Sequence, residues 1–133
     1  MAIRYLLDTN TSSYAIKGNV PSVRQCLLRH SASEIAVSVI TEAELRFGVE
    51  RHAATSRLRI AVDEFLASVQ VPAWDSSAAR EYGKLRAALE RRGTPMGNMD
   101  TMIAAHALAI DAVLVTNDRV FRHVKELTTE DWT

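Results

Sequence analysis

The sequence holds one cysteine, Cys26, so it can form neither an internal disulfide nor a multi-cysteine metal site, and it suits a reducing compartment. Cys26 stands at helical spacing with Val23 and Leu27, which marks it as core rather than as a nucleophile. No apolar run exceeds four residues, as in Ala112 to Val115, whereas a membrane span needs about twenty. The opening Met1 to Asp8 has no basic lead or apolar stretch of signal-peptide length, so a cytoplasmic protein without membrane contact is expected. Charge of one sign is also lacking: sixteen basic residues balance sixteen acidic ones, which excludes a protein that holds nucleic acid by a broad positive field but not one that touches it briefly. With two tryptophans and three tyrosines, there is no evident platform for stacking bases.

What is present is an ordinary globular balance, 47% apolar and 24% charged, over 133 residues, which predicts a single domain spanning 1–133. Ile3 to Leu7 reads as a buried strand ending on Asp8, and a helix then runs to Gly18. Pro21 suits the first turn of a second helix, reaching about His30. Ile35, Val37 and Val39 alternate as a second strand over Glu34 to Val39, and Thr41 opens a helix. The rhythm from Thr55 to Val69 is helical, and Val69, Val71 and Pro72 suggest a short edge strand. Asp75 caps a long helix that Gly93-Thr94-Pro95 ends, Asn98 or Asp100 begins another, and Ala112 to Val115 is a strand followed by a short helical segment. Strands separated by helices predict an α/β fold with a mainly parallel sheet, in which ligands bind beyond the carboxyl ends of the strands.

The acids fall at that edge. Asp8 directly follows the first strand and Asp118 comes shortly after the last; Glu44 and Asp100 lie near helix starts. Four convergent carboxylates repel one another unless a hard cation neutralises them, and oxygen ligands without cysteine or paired histidine favour Mg2+ or Mn2+. Such a centre can activate water against a phosphodiester. Taken singly, the acids have structural explanations: Thr41 to Glu44 matches a capping box, Asp100 suits a helix dipole and Asp118 suits a turn. Asp8, closing an apolar strand, has the least structural reason to be acidic. His30, His52, His106 and His123 have no partner at ligand spacing.

Four segments, Ile3 to Asn10, Ser38 to Gly48, Asp100 to Ala107, and Val115 to Asp118 with Phe121, together resemble the signature blocks of PIN-domain ribonucleases, and the likeness to the VapC toxins of bacterial VapBC pairs runs end to end through Glu130-Asp131-Trp132. The resemblance implies a three-layer α/β/α sandwich and a Mg2+- or Mn2+-dependent endoribonuclease with Asp8, Glu44, Asp100 and Asp118 as its metal-binding quartet. It also implies Thr116 as a hydroxyl that steadies an acid and Asn10 as an orienter of Asp8 or of the scissile phosphate. A VapB-type antitoxin, a homodimer and a toxin–antitoxin hetero-oligomer belong to the same expectation, with Tyr14, Ile16 and the Phe47 helix as surfaces that could receive the antitoxin. The branch most similar cleaves initiator tRNA in the anticodon stem-loop, and Gly97-Asn98-Met99 departs from the proline-containing form of close relatives. With the quartet assigned to metal, twelve acids face sixteen bases on the remaining surface, and Arg80, Lys84, Arg86, Arg91 and Arg92, or Arg119, Arg122 and Lys125, become candidate phosphate contacts.

A dehalogenase-type phosphatase needs a second aspartate where Asn10 stands, and a phospho-receiver domain needs an acidic pair near the first strand; both are disfavoured. The alternative of another class is a catalytically idle PIN-like module that only binds, against which the presence of all four acids counts.

Overall fold

Three hydrophobic residues in a row with no polar alternation can be buried only if both faces of the strand are covered, and three of the four strands are built that way. In the computed structural model, which describes residues 2–51 and 56–133, these are β1 (Tyr5–Leu7), β2 (Ile35–Val37) and β3 (Val113–Val115), joined by a two-residue β4 (Thr129–Glu130). All pairings are parallel, in the order β2-β1-β3-β4. Among the described residues six helices accompany them: α1 (Thr9–Lys17), α2 (Pro21–Leu28), α3 (Val39–Arg51), α4 (Ser56–Ser68), α5 (Ser76–Arg91) and α6 (Asn98–Ala109).

Side-chain alternation divides the core in two. Tyr5, Leu7, Ile35, Val37 and Val115 point to one face, where they meet Ala15, Val23, Leu45, Val49, Val62 and Leu66 from α1 to α4. Leu6, Ala36 and Leu114 point to the other, against Leu85 and Leu89 of α5 and Ile103, Ala104 and Ala107 of α6. The result is the expected three-layer α/β/α sandwich with a parallel sheet. Full burial of side chains such as Leu6, Leu7 and Leu114 stabilises the fold by about 1.5–3 kcal/mol each.

Several predicted boundaries agree with the backbone. Gly18 ends α1 at φ 68°, Pro21 opens α2, Asp75 caps α5 and Gly93 follows it at φ 71°. Others are corrected. The second strand stops at Val37 rather than Val39, because Ser38 caps α3: its hydroxyl accepts the Ile40 N–H at 3.1 Å and its carbonyl the Glu42 N–H at 3.0 Å. Thr41 is therefore inside the first turn and not at its start. The edge strand at Val69 to Pro72 reduces to a single bridge between Gln70 and Ala36. The predicted helix start at Thr55 and the unassigned His52 lie outside the described residues. Among the described residues no helix is long and apolar enough to cross a membrane.

From β1 the chain crosses to β2 on one side, then returns to β3 on the other, so the sheet changes direction between β1 and β3. A crevice opens at the carboxyl ends of strands at such a switch point. The Asp8 N–H donates to the Val115 carbonyl there at 3.0 Å, closing β1 against β3 immediately before the acids begin.

Candidate metal centre

Asp8 is the N-cap of α1, and its Oδ1 accepts the Thr11 N–H at 2.8 Å. Its Oδ2 accepts the Thr116 hydroxyl at 2.6 Å across 108 residues. Each oxygen has a further lone pair, so the carboxylate is oriented without being saturated. Thr116 in turn accepts the Asp118 N–H at 3.0 Å, so one buried hydroxyl fixes both the first acid and the backbone of the last. Asp8 is only 4% exposed, and burial pushes its carboxyl above the ordinary value; the Thr116 and Thr11 bonds pull it back, and the Asp118 charge adds to the rise.

Glu44 comes from α3, and its Oε1 accepts the Thr9 hydroxyl at 2.6 Å. Thr9 also lies 3.2 Å, oxygen to oxygen, from the buried Thr41 hydroxyl. This arrangement removes the capping-box explanation of Glu44: the carboxylate reaches across to α1 and does not turn back to its own helix. Glu42, two residues earlier, is committed to Arg46 at 2.8 Å, and Arg46 also reaches Asp63 at 3.1 Å.

Asp100 sits in the first turn of α6, half-buried, and its carboxyl is raised first by burial and then by the charges of Asp118, Glu44 and Asp8, with no hydrogen bond among the described residues to offset them. Asp118 is exposed and caps a 3-10 turn (Arg119–His123) by accepting the Val120 N–H at 3.0 Å. The four sequence-predicted acids thus reach one electrostatic neighbourhood from four separate elements.

The other two candidates differ. Thr116 touches Asp8 as the resemblance implies. Asn10 is exposed and makes no side-chain hydrogen bond among the described residues; toward Asp8 its place is taken by Thr11 and Thr116. Thr9 and Thr11 carry contacts to the acids that were not anticipated, and the only hint available was their position directly after Asp8. His106 is buried and bonds through Nδ1 to the Ser38 hydroxyl at 2.7 Å, well apart from the acids in its bonding.

An all-oxygen set in which two carboxyls are already driven above their ordinary range by burial and like charge fits a hard divalent cation, which would remove that repulsion. Among the described residues no three His, Cys, Asp or Glu side chains form a ready-made ion cage. Magnesium tolerates this, since it usually keeps several waters and takes only one or two carboxylates directly.

Comparison with known proteins agrees with this architecture. The PIN domain model matches residues 5–127. The tRNA(fMet)-specific endonuclease VapC of Salmonella typhimurium is 37% identical over 131 residues, covering 98% of both chains. Ribonuclease VapC2 of Rickettsia felis is 36% identical over 130 residues, covering 96% of this chain and 97% of that one. Among solved structures, DNA-bound VapBC from Salmonella typhimurium superposes with a TM-score of 0.93 at 36% identity over 98% of this chain and 99% of that chain.

Proposed function

The chain belongs to the PIN-domain family and within it to the VapC ribonucleases, and from that premise we propose that Asp8, Glu44, Asp100 and Asp118 form the metal-binding centre of an endoribonuclease toxin that cuts tRNA. The supporting observation is electrostatic: the Asp100 carboxyl is raised by the charges of all three other acids, which arrive from the ends of β1 and β3 and from α3. Structural capping needs no such convergence.

A divalent cation bound there, Mg2+ or Mn2+, supplies Lewis-acid polarisation of a phosphoryl oxygen and a more acidic water. The residues prepare the place for it. Thr11 and Thr116 orient Asp8, with one lone pair of each oxygen left over; Thr9 orients Glu44; Asp100, free of hydrogen bonds, is the least constrained donor. Asp118 stands at the exposed rim, where an entering phosphate would meet it. Asn10, exposed two residues from Asp8, is available to the scissile phosphate.

The tRNA(fMet) specificity named for the Salmonella relative is the proposed substrate class, and a splayed loop nucleotide is the physically suited target for a recessed acidic centre. A VapB-type antitoxin is the proposed partner, in a hetero-oligomer, as the VapBC complexes among the structural relatives suggest; a toxin homodimer within it belongs to the same proposal. The groove of about 210 Å³ between α1, α3 and α4, lined by Ile16, Val49, Leu58 and Val62 together with the charged Lys17, Glu44 and Arg51, offers such a partner a surface of mixed apolar and charged character.

Purified protein freed of any partner is expected to cleave tRNA with Mg2+ or Mn2+ and to stop when chelator is added. Asp100→Asn, which breaks no hydrogen bond, is expected to abolish cleavage while the fold remains intact by circular dichroism. Cleavage that persists in chelator, or in the Asp100 variant, would refute the assignment.

A further inference from the structure

The basic side chains divide into two kinds. Three of those on α5 are already engaged: Arg86 donates to the Tyr82 hydroxyl at 2.9 Å and to Glu90 at 3.2 Å, Lys84 lies 3.8 Å from Glu81, and Arg80 reaches the Ser77 hydroxyl at 3.5 Å, while Arg91 in its last turn has no side-chain partner among the described residues. Arg92, just past the helix, donates to the His123 carbonyl at 2.8 Å. Arg119 and Arg122 have neither an ion pair nor a hydrogen bond among the described residues. A guanidinium paired with a carboxylate offers little net charge to a phosphate, whereas an unpaired one offers all of it and five donors in a fixed fork.

The backbone makes these two arginines neighbours. They stand three residues apart in a 3-10 turn, where side chains at that spacing eclipse one another. Phe121, between them, is 1% exposed and Val124 beyond them 2%, so the turn is pinned to the core while both guanidinium groups project outward. The same turn walls a groove of about 100 Å³ that Asp118, Arg119, Arg122, Thr129 and Asp131 line. The lining includes Asp118, whose charge both Asp8 and Asp100 sense. It also includes Asp131, whose carboxyl the Thr133 hydroxyl and N–H hold below the ordinary value and hence ionised.

We infer that this groove is the track of the RNA backbone: Arg119 and Arg122 hold a phosphate adjacent to the one being cut, Asp131 in the same lining opposes a further phosphate, and the engaged α5 side chains Arg80, Lys84 and Arg86 hold none. The inference rests on the reading of the four acids as the cutting centre, and it assigns the direction in which the bound strand leaves that centre.

Binding of a fluorescent stem-loop RNA carrying an initiator-tRNA anticodon arm, measured by anisotropy in the Asp100→Asn background, reads the track without turnover. Arg119→Ala combined with Arg122→Ala is expected to raise Kd about ten-fold or more and to lower the slope of log Kd against log salt by about 0.7 per arginine. Lysine at both positions is expected to restore most of that slope, and Asp131→Asn to tighten binding about two- to three-fold, because only charge is altered. Arg80→Ala combined with Arg86→Ala is expected to change Kd less than about two-fold, since those side chains already have partners. The track is overturned if the α5 pair weakens binding as much as the turn pair, or if the turn pair leaves Kd and slope unchanged in a protein with an unaltered melting temperature. Failure of the nuclease reading appears separately, as absent cleavage by the unsubstituted protein.

Discussion

Two adjacent strand-to-helix junctions do the same structural work with different side chains. β1 ends at Leu7 and Asp8 caps α1; β2 ends at Val37 and Ser38 caps α3. Both caps are buried, both accept an early helix N–H, and both are tied to a distant element, Asp8 to Thr116 and Ser38 to His106. At the Ser38 junction the accounts close. The hydroxyl accepts from Ile40 and is bonded to the His106 Nδ1, and burial lowers the imidazole below its ordinary value, which favours the neutral ring. At the Asp8 junction they do not: burial and the Asp118 charge leave the carboxyl above its ordinary value in spite of two hydrogen bonds. A neutral cap suffices at the neighbouring position, so the charge of Asp8 is surplus to capping, and the cation proposed for the pocket supplies a reason for it.

The sharpest break in the comparison is therefore Asp8→Asn. Its carbonyl can keep the Thr11 bond and its amide can face the Thr116 hydroxyl, so the cap survives while the charge is lost. RNA cleavage is expected to fall by about 10²–10³-fold or more, the cost typical of removing one electrostatic element from a catalytic centre. Urea unfolding in chelator at neutral pH is expected to show equal or higher stability. A variant that lost stability and activity in parallel would mean that Asp8 is a structural cap after all.

The contrast also explains what could be read from the sequence. Side chains that act locally announce themselves: Pro21 at a first turn, Asp75 before a helix, Gly18 and Gly93 at positive φ, and acids placed just beyond apolar strands. Ser38 reads as a strand residue because Val39 continues the alternation of Ile35 and Val37, and periodicity cannot see that a hydroxyl between them has become a cap. β4 was missed because Thr129 and Glu130 are exposed and carry no apolar pattern; the strand exists through backbone bonds such as Thr116 N–H to the Glu130 carbonyl at 2.9 Å. The acids of the candidate site were legible as residue types at strand and helix ends. Their partners were not, because the Thr9 to Glu44 bond spans 35 residues and the Thr116 to Asp8 bond 108, distances that only the closed sheet brings together.

Breaking the other junction should move stability and not chemistry. Ser38→Ala removes the cap on Ile40 and leaves the buried His106 Nδ1 without a partner. The expected loss is about 2–3 kcal/mol in urea unfolding, a cap plus one unsatisfied buried group. Below the melting transition the rate constant for cleavage should stay within about two-fold, since no acid loses a bond. A loss of activity as large as that of Asp8→Asn, in protein shown to be folded, would mean that the two junctions are not separable.

The smallest effect separates the junctions by the sign of their response to acid. Asp8 and Asp100 have folded carboxyls above the ordinary 3.8, chiefly through burial, so their contribution to stability is fully present below that value and is lost as pH rises through the raised ones. His106 is shifted downward from 6.5, chiefly by burial against the weaker pull of the Ala73 carbonyl and the Asp75 charge, so its contribution is present above 6.5 and is lost as pH falls toward the lowered value. In chelator the opposing slopes should flatten the melting curve between about pH 4 and 7. Asp100→Asn deletes one carboxylate slope and leaves that of the histidine, so its melting temperature should climb more steeply with pH than that of the unsubstituted protein. Mg2+ should act in the same direction on the unsubstituted protein, because a cation that binds the ionised acids stabilises the folded state most where those acids are deprotonated. Equal slopes for the two proteins in chelator would show that the Asp100 carboxyl has no protonation to lose on unfolding, and with it that the acids do not press on one another as their placement demands.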